Sequence, residues 1–144
     1  FEITETAVIA DPAKGMAAIA RFAEAGIEIS IDDYGSGLSS LAYLKQIPAR
    51  ELKIDNEFVL QIDQSQRDAL LVRSTIDLAH SLGMKVTAEG IETAAAASLL
   101  AGMGCDIGQG YGLARPMDLA ALMEHLKTDE PTLETQQPNA HAGQ

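Results

Sequence analysis

Cysteine is almost missing from this chain: Cys105 stands alone, which excludes an internal disulfide and gives no sign of a secreted scaffold. Aromatic residues are scarce, three Phe and three Tyr, while 47% of the chain is hydrophobic. That balance belongs to packed helices and buried strands and not to a disordered polymer. No apolar run approaches the roughly 18 residues that cross a bilayer. No leader-like segment opens the chain, which starts at Phe1-Glu2-Ile3 as though inside a strand, so a cytoplasmic setting is expected. Basic residues are few as well: 10 Lys and Arg against 21 Asp and Glu leave a net charge of −11. Such a surface repels DNA, RNA and anionic membrane, all of which present phosphate. A phosphate-bearing small ligand stays possible where divalent metal reverses the local sign.

What is present alternates between strand and helix. Residues 1–4 read as a strand. Asp11-Pro12, a cap followed by proline at the first helical position, opens a helix expected to run to Ala25 and to stop at Gly26. Its apolar stripe is Met16, Ile19, Phe22 and Ala23. A strand is expected over 27–33, a Gly-rich loop over 35–37, a short helix over 38–46 and a strand over 52–55. A long helix over 66–82 follows, with Ala69, Val72, Ile76, Ala79 and the neighbouring leucines on its buried side. Then come a strand over 86–89, an alanine-rich helix capped by Thr93, a strand over 106–110 and a helix capped by Asp118. From residue 129 the composition turns polar, and 129–144 is expected to be a disordered tail beyond one domain over 1–128. The methionines read as core filler, and His80, His125 and His141 as solvated.

Repeated βα units imply a parallel sheet. No Gly-x-Gly-x-x-Gly follows the first strand, which argues against a dinucleotide fold. Five units are too few to close an eight-stranded barrel of about 250 residues, so the choice lies between an open sheet and part of a barrel.

Strands covered on both faces should read as nearly continuous apolar runs, and these do not. Ile3 alternates with Glu2 and Thr4; Ile27, Ile29 and Ile31 with Glu28, Ser30 and Asp32; Leu52 and Ile54 with Lys53 and Asp55; Val86 and Ala88 with Thr87 and Glu89. Period-two alternation gives each strand one apolar and one polar face. Helices must cover the apolar face, so Glu2, Asp32, Lys53, Asp55 and Glu89 converge on the other. Carboxylates gathered in one place raise each other's pKa unless a cation intervenes, and magnesium or manganese suits such oxygen donors. Several of these acids stand near the C-terminal ends of their strands, the rim where parallel α/β folds place chemistry.

Five motifs in order, Glu2-Ile3-Thr4-Glu5, Asp32-Asp33-Tyr34-Gly35-Ser36-Gly37, Leu52-Lys53-Ile54-Asp55, Ala88-Glu89-Gly90-Ile91-Glu92-Thr93 and Gly108-Gln109-Gly110-Tyr111 with Arg115-Pro116, resemble the signatures of EAL-type cyclic di-GMP phosphodiesterases. The resemblance implies a (β/α)₈ barrel of TIM type, represented here by about five C-terminal βα units. It implies Glu2, Asp32, Asp33 and Glu89 as ligands to two Mg²⁺ or Mn²⁺ ions, and Lys53 as the group that positions or activates the attacking water, with Glu89 counted as catalytic too. Asp55, Gln109 and Arg115 correspond to residues near the substrate. Glu5 and Glu92 correspond to residues that anchor the loop after Asp33, through which the family is expected to form homodimers. The activity implied is hydrolysis of cyclic di-GMP to linear pGpG.

The Glu-Ala-Leu triplet itself does not occur in these residues, nor does the asparagine-bearing strand that follows it in the family; both supply metal ligands there. The expectation is therefore that the parent domain is the phosphodiesterase and that this stretch alone is inactive. Gln109 shares its parity with Ile107, an apparent conflict that a kink at Gly108 or Gly110 would resolve. A non-catalytic cyclic di-GMP receptor is the alternative reading.

Overall fold

The alternation read from the strands becomes a sheet with one dry face. The structure, a computed structural model, describes residues 1–4, 12–35 and 44–128. Among these, β1 (Glu2–Thr4), β2 (Ser30–Tyr34), β3 (Glu51–Ile54), β4 (Lys85–Ala88) and β5 (Ile107–Gly108) pair in sequential order, every pair parallel. Sequential order matters for the fold. A doubly wound sheet reverses direction at a switch point and needs helices on both faces; a sheet that always steps the same way keeps its crossovers on one face and curls toward a barrel.

The register aligns Ile3, Ile31, Leu52 and Val86 in one row across four strands. These residues share the face on which the helices lie. Helix α1 (Pro12–Glu24) packs Ile19 on Ile29, with Met16, Phe22 and Ala23 alongside. A short α2 (Asn56–Val59) is followed by α3 (Gln66–Ser81), whose Val72, Ile76 and Ala79 are buried at successive turns of one stripe. Helix α4 (Ala94–Gly102) buries Ala96 and Leu100, and α5 (Leu119–Thr128) completes the described elements. Two caps fall where expected, Thr93 Oγ1 accepting from Ala96 at 3.0 Å and Asp118 Oδ1 from Ala121 at 2.9 Å, and Ser65 Oγ caps α3 as well, accepting from the Asp68 amide at 3.2 Å.

Several expectations are corrected. Strand β2 begins at Ser30, and Ile27 is exposed. On α3, Leu70 and Leu71 point to solvent, because the buried stripe through Val72 and Ile76 leaves them on the flank; Leu78 and Leu82 do pack on the core. Met84 is buried, but Met117 and Met123 are exposed. His80 is partnered: its Nε2 lies 2.8 Å from Asp106 Oδ2, which also accepts from the Val86 amide at 2.8 Å. Helix α2 has no counterpart in the expected elements. The expected helix over 38–46 falls largely outside the described residues, as do Asp11 and the tail.

Candidate active site

The polar sides of β1, β2, β3 and β4 meet around one lysine. Lys53 Nζ lies 2.6 Å from Glu89 Oε1, 2.9 Å from Glu2 Oε1 and 3.6 Å from Asp32 Oδ1. Its side chain is 13% exposed, against 26% for Glu89 and 22% for Asp32. Glu2, 59% exposed, opens β1 in the row of Ser30, below the rim, and reaches the ammonium through its length. Burial works against the charge on Lys53, but its hydrogen bonds to Glu89 and Glu2 and the surrounding carboxylates prevail, so its pKa stands above the usual lysine range. The hydrogen bond from Lys53, with its charge, holds Glu2 below the ordinary glutamate value.

Strand β2 breaks its own periodicity at the site. Ile31 pairs with Leu52 and Tyr34 with Ile54, so Asp32 and Asp33 together stand opposite Lys53 alone. That is a β-bulge. With strict alternation Asp33 would face the helices; the extra residue and a φ of 54° at Asp33 turn it out of that face. Its carboxyl is held above the usual aspartate value, first by the charge of Asp32, then by burial, with Asp55 and Glu89 adding to it. The bulge takes two consecutive acids off the helix-covered face.

Asp55 follows β3 and caps α2, its Oδ1 accepting from the Glu57 amide at 2.9 Å. Glu89 follows β4. Gln109 follows β5, its amide donating to the Ala88 carbonyl at 2.9 Å. No kink is needed to place it: Thr87 pairs with Ile107 and Ala88 with Gly108, so the exposed Ile107 itself lies on the polar side and Gln109 keeps that parity. An isoleucine on a strand therefore does not by itself mark the dry face. Beyond Glu89 and Gln109 opens a cleft of about 570 Å³, lined also by Asn56, Glu92, Tyr111 and Arg115. The Arg115 guanidinium carbon sits 5.1 Å from the centre of the Tyr111 ring, a cation–π pair. Asn56 and Tyr111 were not singled out as site residues. The capping pattern Asp55-Asn56-Glu57 ahead of Phe58-Val59 was the available signal for the first. Glu5 and residues 36–43, most of the loop after Asp33, lie outside the described residues.

The model of the EAL domain family matches residues 1–116. This chain belongs to the EAL domain family. It is 41% identical over 127 residues to the cyclic di-GMP phosphodiesterase NbdA of Pseudomonas aeruginosa, covering 88% of this chain and 16% of that protein. The EAL fold is shared with the solved PaMucR phosphodiesterase in complex with c-di-GMP, at a TM-score of 0.79 and 40% identity, covering 84% of this chain and 49% of that one. It is shared too with Klebsiella pneumoniae BlrP1 in a manganese and cyclic di-GMP complex, at a TM-score of 0.74 and 33% identity, covering 80% of this chain and 29% of that one. The chain thus spans under a fifth of NbdA and about half of the PaMucR chain.

Among the described residues of this EAL chain, no three His, Cys, Asp or Glu side chains form a ready set that could hold a metal ion. The donors nonetheless suit one. Asp32 Oδ1 is buried and makes no hydrogen bond, an acceptor whose desolvation is left uncompensated except by Lys53 at 3.6 Å. Glu2, Asp32 and Glu89 all lie within 4 Å of Lys53, Asp33 and Asp55 stand close enough to be felt electrostatically, and the donor set is all oxygen, which fits Mg²⁺ or Mn²⁺. None of the described helices is long and apolar enough to cross a membrane.

Proposed function

We propose that the protein carrying this chain hydrolyses one phosphodiester of cyclic di-GMP, giving linear pGpG, with Glu2, Asp32, Asp33 and Glu89 contributing to a two-ion Mg²⁺ or Mn²⁺ site. The observation that carries the reading is the convergence of three acids on Lys53, with Asp33 turned out beside Asp32 by the bulge. The names of relatives support it: NbdA is a cyclic di-GMP phosphodiesterase, and BlrP1 was solved with manganese and cyclic di-GMP. The ions would supply Lewis acidity and lower the pKa of bound water.

The residues do the remaining work. Lys53, kept charged by Glu89 and Glu2, holds positive charge where negative charge builds on the phosphoryl oxygens and helps to position the attacking water. Asp55, immobilised by its capping bond, stands beside Asp33 at the rim. Gln109 and Arg115, on the cleft next to Glu89, are placed to contact substrate, and the stacked Arg115–Tyr111 pair offers a flat cationic wall to a phosphate or a base. Glu5 and Glu92 would anchor the loop after Asp33, through which homodimers would form. The segment bearing the Glu-Ala-Leu triplet and the asparagine strand would complete the metal site, so these 144 residues alone would not turn over substrate.

The test is incubation of the complete native protein with cyclic di-GMP and Mg²⁺ or Mn²⁺, followed by chromatography of the products. Metal-dependent pGpG is expected. Binding of cyclic di-GMP without pGpG would replace the enzyme with a receptor, and neither binding nor turnover would remove both.

A further inference from the structure

The segment leaving β4 is held between its neighbours by backbone contact. Ile91 donates its amide to the Gln109 carbonyl at 3.0 Å, and its own carbonyl accepts from the Gly112 amide at 2.8 Å. Its side chain is buried, 2% exposed, against the sheet. The loop after β5 approaches this segment so closely that a side-chain carbon at Gly110 would overlap the Ile91 amide nitrogen and carbonyl oxygen; one at Gly112 would lie 2.5 Å from the Glu92 carbonyl carbon. On the other side, a carbon at Gly90, whose φ is 73°, would lie 2.7 Å from Asn56 Cβ in the first turn of α2. Further along, Thr93 Oγ1 donates to Asp63 Oδ2 at 3.1 Å, tying the same stretch to the turn after α2.

We infer that Gly90 and Gly110 are positioning residues: by admitting Asn56 on one side and the Ile91 backbone on the other they clamp the exits of β3, β4 and β5 together and set Glu89 and Gln109 at a fixed separation. Glycine serves at 110 because of close approach alone, and at 90 because of approach combined with a left-handed backbone. The consequence for chemistry follows from the site. Glu89 and Gln109 are the residues immediately before Gly90 and Gly110, so displacing either loop moves a side chain of the site without altering its chemical identity. Misplacement of reacting groups by about 1 Å costs on the order of 100-fold in rate.

The inference rests on the phosphodiesterase reading for its kinetic readout and on geometry for its structural one. In the complete native protein, Gly110→Ala is expected to lower kcat about 100-fold while KM moves far less, and to lose hydrogen-exchange protection at the Ile91 and Gly112 amides. Gly83→Ala is the control. It imposes an unfavourable φ of 77° at a position with open space around it, so it should cost stability and leave kcat near the parent value. Where Gly110→Ala does not accumulate as folded protein, Gly90→Ala decides instead. It presses on a side-chain carbon rather than on backbone, so the fold should survive while kcat falls by more than in Gly83→Ala and the Ile91 amide loses protection. Retained protection at Ile91 and Gly112 in Gly110→Ala, unchanged kcat, or an equal loss in Gly83→Ala would each overturn the inference. An unsubstituted protein that does not hydrolyse cyclic di-GMP would defeat the phosphodiesterase reading, while exchange protection would still decide whether the clamp exists.

Discussion

Lys53 is the residue on which the site's electrostatics turn, because three carboxylates sit within 4 Å of one ammonium. Replacing it by methionine keeps most of its length and removes the charge. Glu2, Asp32 and Glu89 then face each other without a counter-ion, and the expected result is a loss of kcat of about 10²- to 10³-fold, the scale of removing one charge-stabilising donor. A lowered melting temperature should accompany it, since carboxylates partly removed from water lose their partner. A steady-state assay together with a thermal melt checks both; unchanged kcat would remove Lys53 from the chemistry. Alternation in the sequence was enough to place Lys53, Asp32 and Glu89 on one side. It could not place Asp33, because a bulge depends on how two strands pair, and period-two reasoning treats each strand alone.

Among the elements, β4 and β5 are joined at their lower ends by Asp106, which accepts from Val86 at 2.8 Å and from His80 at 2.8 Å. The bond from His80 holds the Asp106 carboxyl below its ordinary value, and the Val86 amide adds to this. A depressed carboxylate pKa contributes stability that is complete above the unfolded-state value and disappears as pH falls through the folded one. Asp106→Ala should therefore destabilise by about 1 kcal/mol near neutral pH, with the gap to the parent narrowing below roughly pH 4; denaturant titrations at several pH values measure it. Capping gives a second test: Thr93→Ala removes the acceptor for Ala96 and the donor to Asp63, at an expected cost of about 1 kcal/mol. The caps at Thr93 and Asp118 were readable because Thr and Asp at helix starts act through neighbours three residues away. The His80–Asp106 pair joins residues 26 apart in sequence and leaves no local trace. Helix α2 escaped notice for a different reason: four residues are too short for an apolar period to show.

For the molecule as a whole, β1 and β5 are the edges of the described sheet, and the apolar residues of α5, Leu119, Leu122, Met123 and Leu126, are exposed, as are Tyr111 and Leu113. Unpaired edges and an apolar face of that kind promote association. The isolated 144-residue chain is expected to elute larger than a monomer in size-exclusion chromatography with light scattering, and Leu122→Gln with Leu126→Gln to shift it toward monomer. An unchanged monomeric mass for the parent chain would remove this expectation. The parallel α/β class could be read from alternating segments; the choice between an open sheet and part of a barrel could not, and rested on the family resemblance. Which large apolar residues stay uncovered could not, since exposure depends on what lies across from them. The claim beneath the whole account is that acids from separate strands share one divalent-cation site, and calorimetric titration of the complete native protein with Mn²⁺ addresses it most directly. The account predicts that Asp32→Asn and Glu89→Gln each weaken Mn²⁺ binding by at least about tenfold while melting stays cooperative; parent-like Mn²⁺ affinity in both variants would contradict it.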